Sequence, residues 1–264
     1  PYAIWVSEVM LQQTRVEVVS GRWAEFLRRF PDLPSLARAD QADVLAAWAG
    51  LGYYRRARQL HAAAQRVVDV HGESLPSDAA ALRLLPGFGA YTAGAVASIA
   101  FGEAVPAIDG NVERVVARLV GLDDDPKRAR GAAVVREVAQ GLLRDADPGT
   151  LNQALMELGA TVCTPRTPDC GRCPWRGGCR ARASGDPTRW PARAARRESV
   201  QVASYAAVVR DGTDYLWRRR PEGVPNAGLW ELPTTEWHAG EADVHAARDA
   251  LEDLGRQLDR AWEV

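Results

Sequence analysis

The chain has 264 residues, 47% hydrophobic and 25% charged, with a formal net charge of -1 at pH 7, which suits one large domain or two smaller ones and excludes nucleic-acid binding by overall charge. No run approaches the roughly 20 apolar residues of a membrane span, and no signal-peptide pattern opens the chain, so no membrane partner and a cytoplasmic location are expected. Residues 1–184 hold 22 Lys+Arg against 20 Asp+Glu and residues 185–264 hold 11 against 14; only the first part is net positive, so any nucleic-acid site there must come from local placement of charge.

The first predicted element is an apolar helix from Tyr2 to Val19. Pro1 stands in place of an initiator Met and no cap precedes the helix, so further structure is expected before it. Ile4, Trp5, Leu11 and Gln12 lie three or four residues from Glu8 and share its helix face. On that mainly apolar face Glu8 is a partly buried acid rather than a solvated one. Desolvation raises a carboxyl pKa, and a carboxyl that keeps its proton at neutral pH can deliver it to a leaving group. Glu8 is thus a candidate general acid.

Short helices follow at Trp23 to Phe30 and Asp43 to Ala49, interrupted at Pro31, Pro34 and Gly50. Gly50-Leu51-Gly52-Tyr53-Tyr54-Arg55-Arg56-Ala57-Arg58 opens a helix that runs to about Val70. Its first turn sets two aromatics beside three arginines. Either the tyrosines close a core beneath solvated arginines, or an aromatic wedge enters a base stack while arginines reach phosphates.

Ala79 to Leu85 has helical spacing, Pro86 and Gly87 stop it, and Tyr91 to Ala100 starts a second apolar helix after a four-residue turn. This is a helix-hairpin-helix. Gly87 and Gly89 can take positive φ, so the turn can offer backbone N–H groups and the positive end of the second helix to a phosphate. Such a hairpin grips a nucleic-acid backbone without reading its sequence. Asp109 then sits where a helix from Asn111 to Val120 begins. An Asp there serves as an N-cap, and the helix dipole favours negative charge at that end. An ionised carboxylate beside a phosphate-gripping hairpin can stabilise a positively charged sugar transition state.

Asp145 to Leu158 forms the last long helix of this part, with Gln153 and Glu157 four apart. Then comes Cys163-x6-Cys170-x2-Cys173-x5-Cys179, the only four cysteines of the chain. Gathered in one loop-rich stretch they point to a metal centre rather than two disulfides; spacing alone leaves zinc and an iron-sulfur cluster both open.

Glu8-Val9-Met10-Leu11-Gln12-Gln13-Thr14, Gly50-Leu51-Gly52-Tyr53-Tyr54, Leu85-Pro86-Gly87-Phe88-Gly89-Ala90-Tyr91-Thr92, Asp109-Gly110-Asn111-Val112 and the cysteine loop together closely resemble the MutY-type adenine DNA glycosylases of the helix-hairpin-helix/endonuclease III superfamily, over roughly Pro1 to Arg182. The resemblance implies a mainly α fold, a six-helix barrel plus an iron-sulfur cluster domain. It implies hydrolysis of the N-glycosidic bond of adenine mispaired with 8-oxoguanine or guanine in double-stranded DNA, by base flipping. Glu8 matches the general acid and Asp109 the carboxylate that stabilises the oxocarbenium-like sugar. Tyr91 occupies the position where bifunctional relatives place a lysine nucleophile, so excision without efficient strand cleavage is expected. Asn111 is expected to position Asp109 or the attacking water, Gln153 to contact adenine, and Gln13 and Tyr53 to insert beside the 8-oxoguanine. Gly87 and Gly89 are expected to hold the DNA backbone. Cys163, Cys170, Cys173 and Cys179 match the ligands of a 4Fe-4S cluster, and Arg172, Arg176 and Arg180, interleaved with them, match a basic DNA-gripping loop. A monomer is expected.

After Arg182 the composition shifts. Ser184 to Glu198, rich in Pro, Gly, Ala and Arg, reads as a linker, giving a glycosylase domain over 1–184, a linker over 185–199 and a second domain over 200–264. In that domain Val200 to Arg210 and Tyr215 to Arg219 read as strands turned at Asp211-Gly212, and Ala242 to Leu258 as a final amphipathic helix that runs almost to the last residue. This part resembles a partial α+β Nudix-like domain that recognises 8-oxoguanine. Arg248-Asp249, Glu252-Asp253 and Gly255 match half of a Nudix box, so binding rather than hydrolysis is expected. A bifunctional endonuclease III-like glycosylase/lyase acting on oxidised pyrimidines is the alternative from the same superfamily, and a non-catalytic iron-sulfur scaffold is a third reading.

Overall fold

A computed structural model describes residues 1–192 and, beyond them, 200–221, 223–224, 227–235, 238–239 and 244–262. The chain divides into two compact units, Pro1–Ala194 and Ala195–Val264.

Unit 1 is helical: α1 (Tyr2–Leu11), α2 (Val16–Arg29), α3 (Leu33–Arg38), α4 (Gln41–Ala47), α5 (Arg55–His71), α6 (Ala79–Leu82), α7 (Ala90–Phe101), α8 (Gly110–Val120), α9 (Ala129–Leu142), α10 (Pro148–Thr161) and the short α11 (Arg180–Ala183). The single helix expected from Tyr2 to Val19 is in fact two. Gln13 breaks it with a φ of 57°, and the carbonyls of Val9, Met10 and Gln12 turn to the guanidinium of Arg56. Periodicity could not show this, because the competing donor comes from α5, more than forty residues away in sequence.

Two cores organise the unit. Trp5 and Met10 of α1, Phe26 of α2, Leu60 of α5 and Val96 of α7 are fully buried in the first, with Trp48 at the end of α4; each such side chain contributes about 1.5–3 kcal/mol on leaving water. Val112, Val115 and Val116 of α8, Val135 of α9 and Leu155 of α10 make the second. The cores meet along a chain of packed helices, α1 on α7, α7 on α10 and α10 on α8. Residues that face this line from α1, α7 and α8 are the ones singled out for chemistry.

The hairpin α6–α7 is tied at both ends. Asp78 caps α6 at Ala81 N, and the Glu103 carboxylate beyond α7 accepts from Ala79 N at 2.6 Å. Gly87 takes a φ of 77°, and a Cβ there would come within 2.8 Å of Gln59 Cβ. Gly89 instead is the N-cap of α7 at φ -76°, so only one of the two glycines is in the left-handed region. The Phe88 ring stacks on Trp5 at 5.3 Å, which fixes the turn against α1.

The expected linker begins later than its composition suggests. Pro187–Arg189 is a 3-10 turn and Trp190 is buried against unit 1, its carbonyl accepting from Arg118 Nε at 3.0 Å. Residues 193–199, the rest of that stretch, lie outside the described residues.

Unit 2 contains short antiparallel pairs: β1 (Val202–Ala203) with β6 (His238–Ala239), β2 (Arg210–Asp211) with β3 (Asp214–Tyr215), and β4 (Arg218–Arg219) with β5 (Trp230–Glu231), followed by α12 (Val244–Trp262). The turn read at Asp211-Gly212 is present, with Arg210 opposite Tyr215 and Gly212 at φ 57°. The two longer strands are not: Val200 to Arg210 holds β1, the first residue of β2 and an isolated bridge from Ala206 to Thr234, because the partners of β1 and Ala206 lie about thirty residues onward rather than across the local turn. The predicted start of the last helix, Ala242, lies outside the described residues. Among the described residues no helix is long and apolar enough to cross a membrane.

Candidate active site

Glu8 is 8% exposed on α1, and its Oε2 accepts a hydrogen bond of 2.7 Å from the hydroxyl of Tyr91 on α7. Burial pushes the Glu8 carboxyl above its ordinary range, the Tyr91 hydroxyl draws it part of the way back, and the charge of Asp109 adds to the rise. The Tyr91 phenol is itself pushed up, by burial first and then by the adjacent Glu8. The hydroxyl also reaches Met156 Sδ of α10 at 3.2 Å. A phenol has one proton to donate and lone pairs to accept with, so a protonated Glu8 can donate to Tyr91 while Tyr91 turns its own proton to the sulfur. This side chain therefore accommodates Glu8 in both protonation states. Nothing in the sequence marked Met156, which reads as an ordinary core residue of α10.

Asp109 is the N-cap of α8. Its Oδ1 accepts from Asn111 N at 2.9 Å and Val112 N at 2.8 Å, and its Oδ2 from Asn111 Nδ2 at 2.8 Å. Three N–H donors and the positive end of an eleven-residue helix converge on one carboxylate. Asn111 is held in turn: its Oδ1 accepts from Arg114 Nη2 at 2.8 Å, and Arg114 also donates to the carbonyls of Gly159 and Cys163, both at 2.7 Å. The loop before Asp109 hangs on buried Asn152, whose Oδ1 accepts from Ala107 N and whose Nδ2 donates to Val105 O and Ser98 Oγ. Beyond Asp109 opens a cavity of about 580 Å³ lined by Asn111, Glu113, Arg114, Lys127 and Trp190 among others.

Cys163, Cys170, Cys173 and Cys179 line one cavity together with Leu158, Val162 and Trp175. They carry no disulfide. Four free thiols around a common apolar hollow are a donor set that fits an iron-sulfur cluster. Buried Arg118 supports the loop from α8, donating to Cys163 Sγ at 3.3 Å, Thr164 O at 2.7 Å and Pro165 O at 3.0 Å. Neither Arg114 nor Arg118 stood out in the sequence. Their spacing, one helical turn apart on α8 and facing the cysteine loop, was the available signal.

The remaining candidates are not hydrogen-bonded to the Glu8–Tyr91 pair. Gln13 and Tyr53 are exposed, both at positive φ. Gln153 is exposed on α10 with its amide donating to Gly149 O of its own helix; it makes no hydrogen bond to Glu8 or Tyr91. Of the arginines beside Tyr53, Arg55 is exposed, but Arg56 is buried and occupied by backbone carbonyls, so it does not reach for phosphate.

A buried carboxyl whose burial favours the protonated form and a helix-capping carboxylate whose charge it feels are equipped to protonate a leaving group and to stabilise an adjacent cation. Comparison with known proteins agrees. The family described as HhH-GPD superfamily base excision DNA repair protein matches residues 6–139, and the iron-sulfur binding domain of endonuclease III matches residues 163–179. A human protein named adenine DNA glycosylase is 38% identical over 286 residues, covering 91% of this chain and 52% of that one. One of the same name from Mycolicibacterium smegmatis is 45% identical over 197 residues, 74% of this chain and 66% of that one. The chain thus spans about half the length of the human relative. A solved thermostable thymine-DNA glycosylase superimposes with a TM-score of 0.62 at 27% identity, over 68% of this chain and 83% of that one. With helices, hairpin and cysteine loop all accounted for, the chain belongs to the HhH-GPD superfamily of base excision DNA repair proteins and carries the iron-sulfur domain of endonuclease III.

Proposed function

We propose that the chain is the catalytic part of a monofunctional adenine DNA glycosylase, which hydrolyses the N-glycosidic bond of adenine opposite 8-oxoguanine or guanine. The observation that carries this reading is the buried Glu8 bonded to Tyr91 where a lyase needs an amine. The sequence contains one lysine, Lys127, and it lies between α8 and α9 rather than at the hairpin.

In the mechanism the hairpin around Gly87 holds the DNA backbone and the adenine is flipped out of the duplex. Glu8 passes its proton to the ring of the departing adenine. Positive charge then builds on the sugar, and Asp109, locked by Asn111 and the end of α8, stabilises it from the other side, as the second carboxylate does in a retaining glycosidase. Water completes the hydrolysis. Cys163, Cys170, Cys173 and Cys179 would hold the 4Fe-4S cluster, which when bound cross-links the loop that also presents Arg172 and Arg176. Unit 2 is read as a Nudix-like domain that binds 8-oxoguanine without hydrolysing a nucleotide.

The test is single-turnover release from duplexes bearing 8-oxoguanine:adenine, G:A, T:A or thymine glycol, each analysed before and after alkali. Strand breaks at adenine only after alkali, fastest opposite 8-oxoguanine, are expected. Cleavage at thymine glycol without alkali would move the protein to the lyase class.

A further inference from the structure

Arg56 is an arginine at the start of a helix that does not face solvent. Its guanidinium is buried beneath two surface turns and bonded to both. From the last turn of α1 it takes the carbonyls of Val9 at 3.0 Å and Met10 at 2.8 Å, and from the turn that follows, that of Gln12 and Thr14 Oγ1 at 3.0 Å. From the turn before α5 it takes Leu51 O at 2.9 Å and Gly52 O at 3.2 Å. The two turns also touch directly, Thr14 Oγ1 donating to Leu51 O at 3.4 Å.

Two of these acceptors have a special place. Gln12 O immediately precedes Gln13, and Gly52 O immediately precedes Tyr53. Gln13 at φ 57° and Tyr53 at φ 47° are two of only three non-glycine residues at positive φ among those described, a conformation that side chains with a Cβ avoid unless the surroundings impose it. The peptide planes whose orientation sets those φ angles are held by one cation. Trp48 lies with its ring centroid 5.5 Å from Arg56 Cζ and donates from Nε1 to Gly52 O at 3.1 Å, and the Tyr53 ring centroid is also 5.5 Å from Arg56 Cζ.

Resting on the glycosylase reading above, we propose that Arg56 is a positioning residue that pre-forms a two-tipped wedge. It holds Gln13 and Tyr53 at fixed separation and orientation so that both enter the duplex together when the base opposite is flipped. The planar fork of arginine is needed because its two terminal nitrogens serve different turns, Nη1 the first and Nη2 chiefly the second. A lysine ammonium is a single point and cannot span both. Ordering the tips before binding removes that cost from the complex.

The experiment pairs binding with chemistry in the iron-sulfur-loaded protein. A duplex with 8-oxoguanine opposite a non-hydrolysable fluorinated deoxyadenosine carries 2-aminopurine beside the 8-oxoguanine, so wedge entry appears as a fluorescence rise; a matching hydrolysable duplex reports adenine release at saturation. Arg56→Lys is expected to abolish most of the rise and to slow release on the order of tenfold; the melting temperature falls because buried carbonyls lose their donor, while a cooperative transition above the assay temperature and the cluster absorbance are retained. In a Gln13→Ala/Tyr53→Ala background the same substitution is expected to change release by less than about twofold, since the parts it positions are gone. Thr14→Val, which removes one acceptor of Arg56 together with the weak direct bond to Leu51 O, is expected to move both readouts the same way by less, and serves if Arg56→Lys fails to fold. The proposal is overturned if Arg56→Lys keeps the full rise, if it slows release equally in the wedge-less background, or if the parent protein shows no rise. A rise without adenine release in the parent would overturn the glycosylase reading and leave the clamp standing.

Discussion

Glu8 and Tyr91 show how one hydrogen bond adjusts a catalytic proton. Burial raises the Glu8 carboxyl above its ordinary 4.5 and the phenol opposes the rise, so the pair sets where on the pH scale the acid stays loaded. Excision that needs protonated Glu8 is lost as pH rises through that raised value. Tyr91→Phe removes the opposing contact, and the alkaline limb of the single-turnover pH profile is expected to move to higher pH. Glu8→Gln should lower adenine release by at least about a hundredfold, the range for losing a general acid, with DNA binding retained in a gel-shift assay. Because the folded-state pKa is raised, this carboxyl is no burden below about pH 4.5 and becomes one as pH rises through the folded value and the charge is buried. Glu8→Gln is therefore expected to raise the melting temperature at pH 8 relative to the parent and to leave it unchanged at pH 4.

At the scale of elements, the distance between α8 and α10 is set by Gly159. A Cβ there would meet Asn111 Cβ at 2.6 Å and its backbone at 3.0 Å, and Asn111 is the residue that orients Asp109. Gly159→Ala should cost roughly 1–3 kcal/mol by overpacking and, by moving Asn111, should slow excision by more than its effect on melting predicts; a kcat loss with unchanged DNA affinity would check this. The cysteine loop depends on α8 in the same way. Arg118, 2% exposed, serves the carbonyls of Cys163, Thr164, Pro165 and Trp190. Arg118→Met leaves these acceptors unpaired and is expected to cost about 3 kcal/mol or more, read as a lower melting temperature together with reduced iron content per chain.

The whole molecule divides its work between two cores in unit 1 and a separate unit 2. Since the cysteine loop packs on the second core, Cys170→Ser should lower iron content and DNA affinity while far-UV helicity falls only modestly, α1 to α7 having their own core. Much of this plan could be read along the chain. The hairpin at Pro86-Gly87, the cap at Asp109 and the four cysteines follow from strictly local chemistry: a stop signal, a helix N-terminus, a cluster of thiols at short spacing. Glu8 was legible because its apolar neighbours on one turn of helix announce burial. Arg56, Arg118 and Asn152 were not, since each is a polar side chain whose partners are backbone carbonyls and amides tens of residues away, and no periodicity encodes such a partner. For the same reason α1 ends eight residues before the predicted Val19, and the expected linker at 185–199 starts as a packed turn around Trp190. Local sequence by itself determined which groups exist and on which helices they ride; the tertiary structure decided which carbonyls meet which guanidinium, because an unpaired buried polar group costs more than a local propensity supplies.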